Sequence, residues 1–168
     1  MTNKKSLLFK TLHNDYQPMV LQMCIGFMKG DIDLAKDLSQ EIYINIWNAL
    51  DKFKGASSYK TWIYRITVNT CLKHIRDKKD KNKVSVNEIE YLLSNESNAE
   101  TENLHQSLYK AIGQLAEIDR LIIMMVLDEV EYEEISSVIG LSAVNLRVKI
   151  HRIKKNLKKL LENEGRYQ

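Results

Sequence analysis

Between Ser142 and Leu160 the chain carries Arg147, Lys149, His151, Arg152, Lys154, Lys155, Lys158 and Lys159. Such groups can hold phosphate oxygens, and an arginine can also bond two atoms of a guanine edge. Arg147, His151, Lys154 and Lys158 recur at steps of four, three and four, which lines them along one face of a helix. Leu146, Ile150, Ile153, Leu157 and Leu160 line another face, as a core-facing stripe must. A Lys-rich face on a terminal helix is by itself as often a solvated surface as a ligand site. What precedes it decides for DNA. Tyr132-Glu133-Glu134-Ile135 opens a short helix and Ile139-Gly140-Leu141-Ser142 reads as a turn. Gly140 can adopt the left-handed conformation that ends the first helix, and Ser142 can accept from the free N–H groups of the second. A short helix, a tight turn and a capped basic helix make a helix-turn-helix, whose second helix presents its first residues to base edges.

A second set of groups lies in the first half. The pattern predicts a helix over Tyr59 to Lys79 whose outer face combines Tyr59, Lys60, Tyr64, Arg65, Asn69, Lys73 and Arg76. Aromatic, amide and cationic groups together can stack and hold unpaired bases; Trp62 and Ile66 on the same helix read equally well as core. On a preceding helix, Asp31 to Leu50, the buried face is Ala35, Leu38, Ile42, Ile46 and Ala49. Asp37, Gln40 and Glu41 fall elsewhere on it, as an acidic and amide patch directed away from the core.

Bond-making chemistry finds no equipment. The carboxylate pairs Asp31 with Asp33 and Glu133 with Glu134 have no accompanying His or Lys arrangement, so surface helix charge accounts for them. His13, His74, His105 and His151 are isolated, and Cys24 and Cys71 stand far apart. Neither set has metal-ligand spacing, and the thiols read as buried and free. The expectation is a protein that is not an enzyme, with no cofactor and no metal.

These groups need helices to position them, and the composition supplies little else. The chain has 168 residues, 6 glycines and a single proline, Pro18, and its long segments show helical rather than alternating periodicity. The fold class is all-α, with room for two small domains. Charge divides the chain. Residues 1–83 hold 15 Lys and Arg against 8 Asp and Glu, residues 84–109 hold none against 5, and residues 141–168 hold 8 against 2. Ser85 to Asn103, rich in Asn, Ser, Glu and Thr, reads as a flexible acidic linker. The expected architecture is therefore an N-terminal helical domain over 1–83, a linker over 84–106, and a C-terminal helix-turn-helix domain over 107–168. In the latter, Leu108 to Leu115 and Ile118 to Leu127 form two helices against which the last two pack. The longest apolar runs, such as Leu121 to Leu127, are too short to span a bilayer, and Met1-Thr2-Asn3-Lys4-Lys5 leads into no signal-peptide core, so a cytoplasmic location is expected.

Three segments in order resemble the extracytoplasmic-function sigma factors, small two-domain specificity subunits of bacterial RNA polymerase. They are Asp37-Leu38-Ser39-Gln40-Glu41, then Phe53-Lys54-Gly55 with Thr61-Trp62-Ile63-Tyr64-Arg65-Ile66 and Asn69, then Tyr132 to Ile135 through Gly140 and Ser142 to His151-Arg152. The resemblance implies that Asp37, Gln40 and Glu41, with Asn45 nearby, dock on the clamp coiled coil of core polymerase. It implies that Phe53 and Asn69 line a pocket for a base flipped from the non-template strand, closed by the loop Gly55, Ala56, Ser57 and Ser58 next to Lys54. It implies that Ser142, Arg147, Val148, Lys149, His151 and Arg152 approach the upstream promoter element, with Lys154 and Lys155 on phosphates. Arg147 is the first choice for a base contact.

The function so implied is promoter-specific transcription initiation: the chain binds core polymerase, reads two promoter elements and stabilises the melted non-template strand. Its partners would be core RNA polymerase, promoter DNA and an anti-sigma factor. The alternative is a stand-alone helix-turn-helix regulator binding duplex operator DNA. It would need neither the α-helical acidic patch nor the aromatic and basic helix.

Overall fold

The computed structural model describes residues 2–82 and 101–165, and among these all regular structure is helical. The helices are α1 (Thr2–Phe27), α2 (Ile32–Ala49), α3 (Tyr59–Asn82), α4 (Thr101–Gly113), α5 (Glu117–Leu127), α6 (Tyr132–Ile139) and α7 (Ala143–Gly165), with a short 3-10 turn at Leu50–Lys52. The expected linker over 84–106 lies largely outside the described residues, although its last part, from Thr101, belongs to α4.

Helix α1 has no counterpart in the sequence expectations. Pro18 lies inside it, on an exposed face. A proline there deletes the bond to the carbonyl of Asn14 and costs about 3 kcal/mol or more. Burial of Val20, Met23, Cys24 and Phe27 over the next turns offsets this, each large apolar side chain contributing about 1.5–3 kcal/mol. The turn out of α1 uses Lys29 at φ 59° and Gly30 at φ 88°, both left-handed. Asp31 then caps α2, its side chain accepting from Leu34 N at 3.0 Å.

The buried face of α2 is Ala35, Leu38, Ile42 and Ile46, as expected, with Ser39 and Tyr43 added and Ala49 only half-buried. Ser58 caps α3 by accepting from Thr61 N at 3.1 Å. The α6–α7 turn is built as the sequence requires. Gly140 sits at φ 81°, and Ser142 accepts from Asn145 N at 3.2 Å. Leu146, Ile150, Ile153 and Leu157 are buried, and Leu160 is partly so.

The N-terminal helices α1–α3 and the C-terminal helices α4–α7 are packed together, and their buried side chains form one continuous cluster. Helix α5 lies along α1, α4 also meets α1, and α6 lies on α3. The junction is tight. A Cβ on Gly26 would overlap the side chain of Met124, and one on Gly113 would lie 2.9 Å from Lys29 Cβ. Arg120 is buried between the two halves, donating from Nε to Leu115 O at 2.9 Å and from Nη1 to Phe27 O at 3.1 Å. Phe27 ends α1, so its carbonyl carries the negative end of that helix dipole. Burial lowers the pKa of Arg120, yet a guanidinium stays charged in such a place. Extensive packing of α5 on α1 was not legible in the charge pattern, because α5 is apolar on nearly every side and α1 carries the complementary surface.

Candidate nucleic-acid interface

Helix α2 exposes Asp37, Gln40 and Glu41 on its outer side. Two further residues share that side and had not been singled out: Leu34 and Ile44, 49% and 60% exposed. Their signal in the sequence was two large aliphatics outside the core period of an otherwise amphipathic helix. Asn45 is placed differently from its expected neighbours. It is half-buried and donates through Nδ2 to Thr70 Oγ1 at 3.0 Å, so it ties α2 to α3.

Helix α3 divides the face that the sequence grouped together. Asn69, Lys73 and Arg76 are exposed along one side. Tyr64 is 0% exposed. At 3.6 residues per turn, Tyr64 and Asn69 point about 140° apart. Tyr64 is therefore unavailable to stack a base in this arrangement; its hydroxyl donates to Asp128 of the α5–α6 turn, and burial together with that bond raises its pKa. Lys60 Nζ is 3.4 Å from Asp128 Oδ2, and Arg65 donates to Ser137 Oγ at 2.6 Å.

Phe53 packs with Tyr59 at 4.6 Å between ring centroids and with Trp62 at 5.0 Å, so an aromatic cluster stands at the start of α3. Trp62 is half-buried at its edge. Lys54, Gly55 and Ala56 are exposed, Gly55 turning the chain at φ 70°, and Ser57 is half-buried. Ser58 is engaged as the cap of α3. An open loop beside stacked rings provides a surface on which a flipped base can stack.

On α7, Arg147, Val148, His151, Arg152, Lys154 and Lys155 are exposed in one band. Val144, 70% exposed, joins Val148 at the head of the helix and had not been expected there. Apolar groups in that place suit thymine methyls. Three of the cations have partners within the protein: Arg147 Nη2 meets Glu133 Oε1 at 3.2 Å, Lys149 Nζ meets Asp119 Oδ1 at 2.6 Å, and Lys154 Nζ donates to Tyr132 Oη at 3.5 Å. Ser142 is spent as the cap. Among the described residues, no group of three or more His, Cys, Asp or Glu could hold a metal ion, and no helix is long and apolar enough to cross a membrane.

Comparison with known proteins agrees with both halves. Residues 12–81 match the model of sigma-70 region 2 and residues 105–157 that of sigma-70 region 4. The RNA polymerase sigma factor YlaC of Bacillus subtilis is 32% identical over 148 residues, covering 79% of this chain and 83% of that one. The ECF RNA polymerase sigma-E factor of Escherichia coli is 30% identical over 158 residues, covering 86% and 81%. Among solved structures, the sigma factor RpoE of Bartonella quintana, in complex with the anti-sigma factor NepR, aligns with a TM-score of 0.72 at 21% identity. That alignment covers 92% of this chain and 96% of that one. CnrH, in complex with the cytosolic domain of CnrY, aligns with a TM-score of 0.65 at 20% identity, covering 92% and 88%. Two exposed surfaces of different chemistry, an aromatic cluster beside an open loop, and matches to both sigma regions in their order identify the chain as a member of the extracytoplasmic-function sigma factors of bacterial RNA polymerase.

Proposed function

We propose that the chain divides its work as follows. Residues 1–83 dock on core polymerase and hold the melted downstream element, residues 84–106 connect, and residues 107–168 read the upstream element. The observation that carries this reading is the separation of the outer face of α2 from the cationic band of α7. Asp37, Gln40 and Glu41 offer carboxylates and an amide to a basic partner, and Leu34 and Ile44 add apolar area that a protein interface desolvates. Such a surface repels DNA, so it suits the polymerase. Asn45 supports the docking helix from behind through Thr70.

The aromatic cluster of Phe53, Tyr59 and Trp62, the loop Lys54 to Ser58, and the exposed Asn69, Lys73 and Arg76 receive the non-template strand. Unstacking a base costs a few kcal/mol, which stacking and edge hydrogen bonds must offset. Arg147, with Val144 and Val148, faces bases of the upstream element, and His151, Arg152, Lys154 and Lys155 hold its backbone. The partners are core polymerase and promoter DNA. An anti-sigma factor is a further partner, of the kind bound to the RpoE neighbour. The place of action is the cytoplasm, where polymerase and promoter are.

The test is binding of the purified chain to bacterial core RNA polymerase, followed by run-off transcription from a library of promoter fragments. New promoter-dependent transcripts are the expected result. Failure to bind polymerase, together with specific retention of duplex DNA by the chain alone, would overturn it.

A further inference from the structure

Lys149 stands apart from the other cations near the head of α7. At 3.6 residues per turn it points about 140° away from Val144, which heads the exposed band, and lies beside the buried Ile153. Its Nζ meets Oδ1 of Asp119 on α5 at 2.6 Å, with side chains 34% and 21% exposed. The Arg147–Glu133 pair is far more open, at 61% and 68%. Oδ1 of Asp119 is buried and no other hydrogen bond reaches it, so among the described residues the Lys149 charge is what compensates that oxygen. A buried charge that loses its partner is costly, which gives this pair a firmer hold than a surface one.

The pair also spans two helices. Asp119 and Lys149 stand in the walls of a cleft of about 570 Å³ between the start of α5 and α7, with Ile153 and Asn156. The start of α5 is a fixed reference, because its next residue, Arg120, is buried and donates to Leu115 O at 2.9 Å. A bond from that point to Lys149 restrains the tilt of α7 about its buried stripe. Side chains that read a ligand must be held within about 0.5 Å and 10–20° of their working geometry, so the tilt of a recognition helix decides which of them reach base edges.

We propose that Asp119 and Lys149 form a brace that sets the tilt of α7, which makes Lys149 a positioning residue for base reading by Val144, Arg147 and Val148 and not a DNA contact. The inference rests on the assignment of α7 to the upstream element, and it replaces the role that the resemblance implied for Lys149. Brace and contact differ in sign at Asp119. Were Lys149 to hold a phosphate, neutralising Asp119 would free it and strengthen binding to any sequence. As a brace, the pair loses its hold when Asp119 is neutralised, and sequence choice weakens.

The experiment uses the full chain assembled with core polymerase. Two duplex promoter fragments share one downstream element; one carries the upstream element selected by the parent chain, the other a scrambled one. The ratio of the two affinities reads base recognition through α7, and the salt dependence of each counts phosphate contacts. Asp119→Asn and Lys149→Gln each break the pair, and Asp119→Lys with Lys149→Asp restores it in reverse at unchanged net charge. Ile153→Val, in the same cleft, loosens the packing without touching the pair.

Both single variants should lower the ratio about fivefold with the salt slope retained, and the reversed pair should recover most of it. Ile153→Val should lower the melting temperature and leave the ratio unchanged. Weaker binding of Lys149→Gln to both fragments alike, with a salt slope reduced by about one, overturns the brace and makes Lys149 a phosphate contact. Tighter binding of Asp119→Asn to both does the same. The brace is also overturned by an unchanged ratio in both single variants, by a reversed pair that recovers nothing, or by an equal fall in the ratio for Ile153→Val. A parent chain that selects no upstream element removes the assignment of α7, and the inference with it.

Discussion

Arg147 and Glu133 face one another across the helix-turn-helix, Nη2 to Oε1 at 3.2 Å, with side chains 61% and 68% exposed. The pair orients the guanidinium at the head of α7 and must open for Arg147 to reach a base. An exposed pair contributes only about 0–1 kcal/mol, so opening it is easy. Glu133→Gln should therefore tighten upstream-element binding a few-fold. Arg147→Ala should relax sequence choice at one position by about 1–3 kcal/mol. Binding selection on a randomised upstream element measures both; a uniform loss across all sequences would make Arg147 a phosphate contact.

The outer face of α2 makes a different prediction. Asp37→Ala with Gln40→Ala should weaken co-purification with core polymerase while leaving the fold intact. Ile44→Ala should add to the loss. Asn45→Ala acts through the bond to Thr70 and should cost about 1 kcal/mol of stability. Denaturant titration and polymerase pull-down separate the two effects.

Asn69 is exposed on α3. Asn69→Ala should impair promoter opening about tenfold with little effect on closed binding, because the amide bonds a base only after it leaves the stack. Permanganate reactivity of unpaired thymines against gel-shift affinity reads the difference. Equal loss in both would remove the flipped-base role.

Alkaline stability follows from the buried thiols and phenols. Burial pushes Cys24 from 9.0 up to about 12, and burial also raises Cys71 and Tyr43. The unfolded chain loses these protons from about pH 9 upward, where the folded chain still holds them. Stability from Cys24 is thus complete below about pH 9 and is lost as pH rises toward about 12. Thermal melting should show a midpoint that falls between about pH 9 and about pH 11. Cys24→Ser should flatten that fall, and an unchanged slope would exclude Cys24 as a source.

Much of the molecule was legible from local rules. Helix period gave the buried faces of α2 and α7, and Gly140 and Ser142 gave the turn between α6 and α7, because capping and left-handed turns depend on a few adjacent residues. The acidic patch on α2 and the cationic band on α7 were legible for the same reason: a helix places steps of three and four on one side. Helix α1 was not, since Pro18 breaks the local signal and the helix is held by what packs on it. Nor were the tie of Asn45 to Thr70, the burial of Tyr64 under Asp128, or the use of Lys60 and Arg65 by the C-terminal half. Each depends on groups distant in the chain, which only tertiary packing brings within bonding range. The sequence by itself determined the helices that follow α1 and what charge each presents. The tertiary structure decided which of those charges face solvent and which face one another.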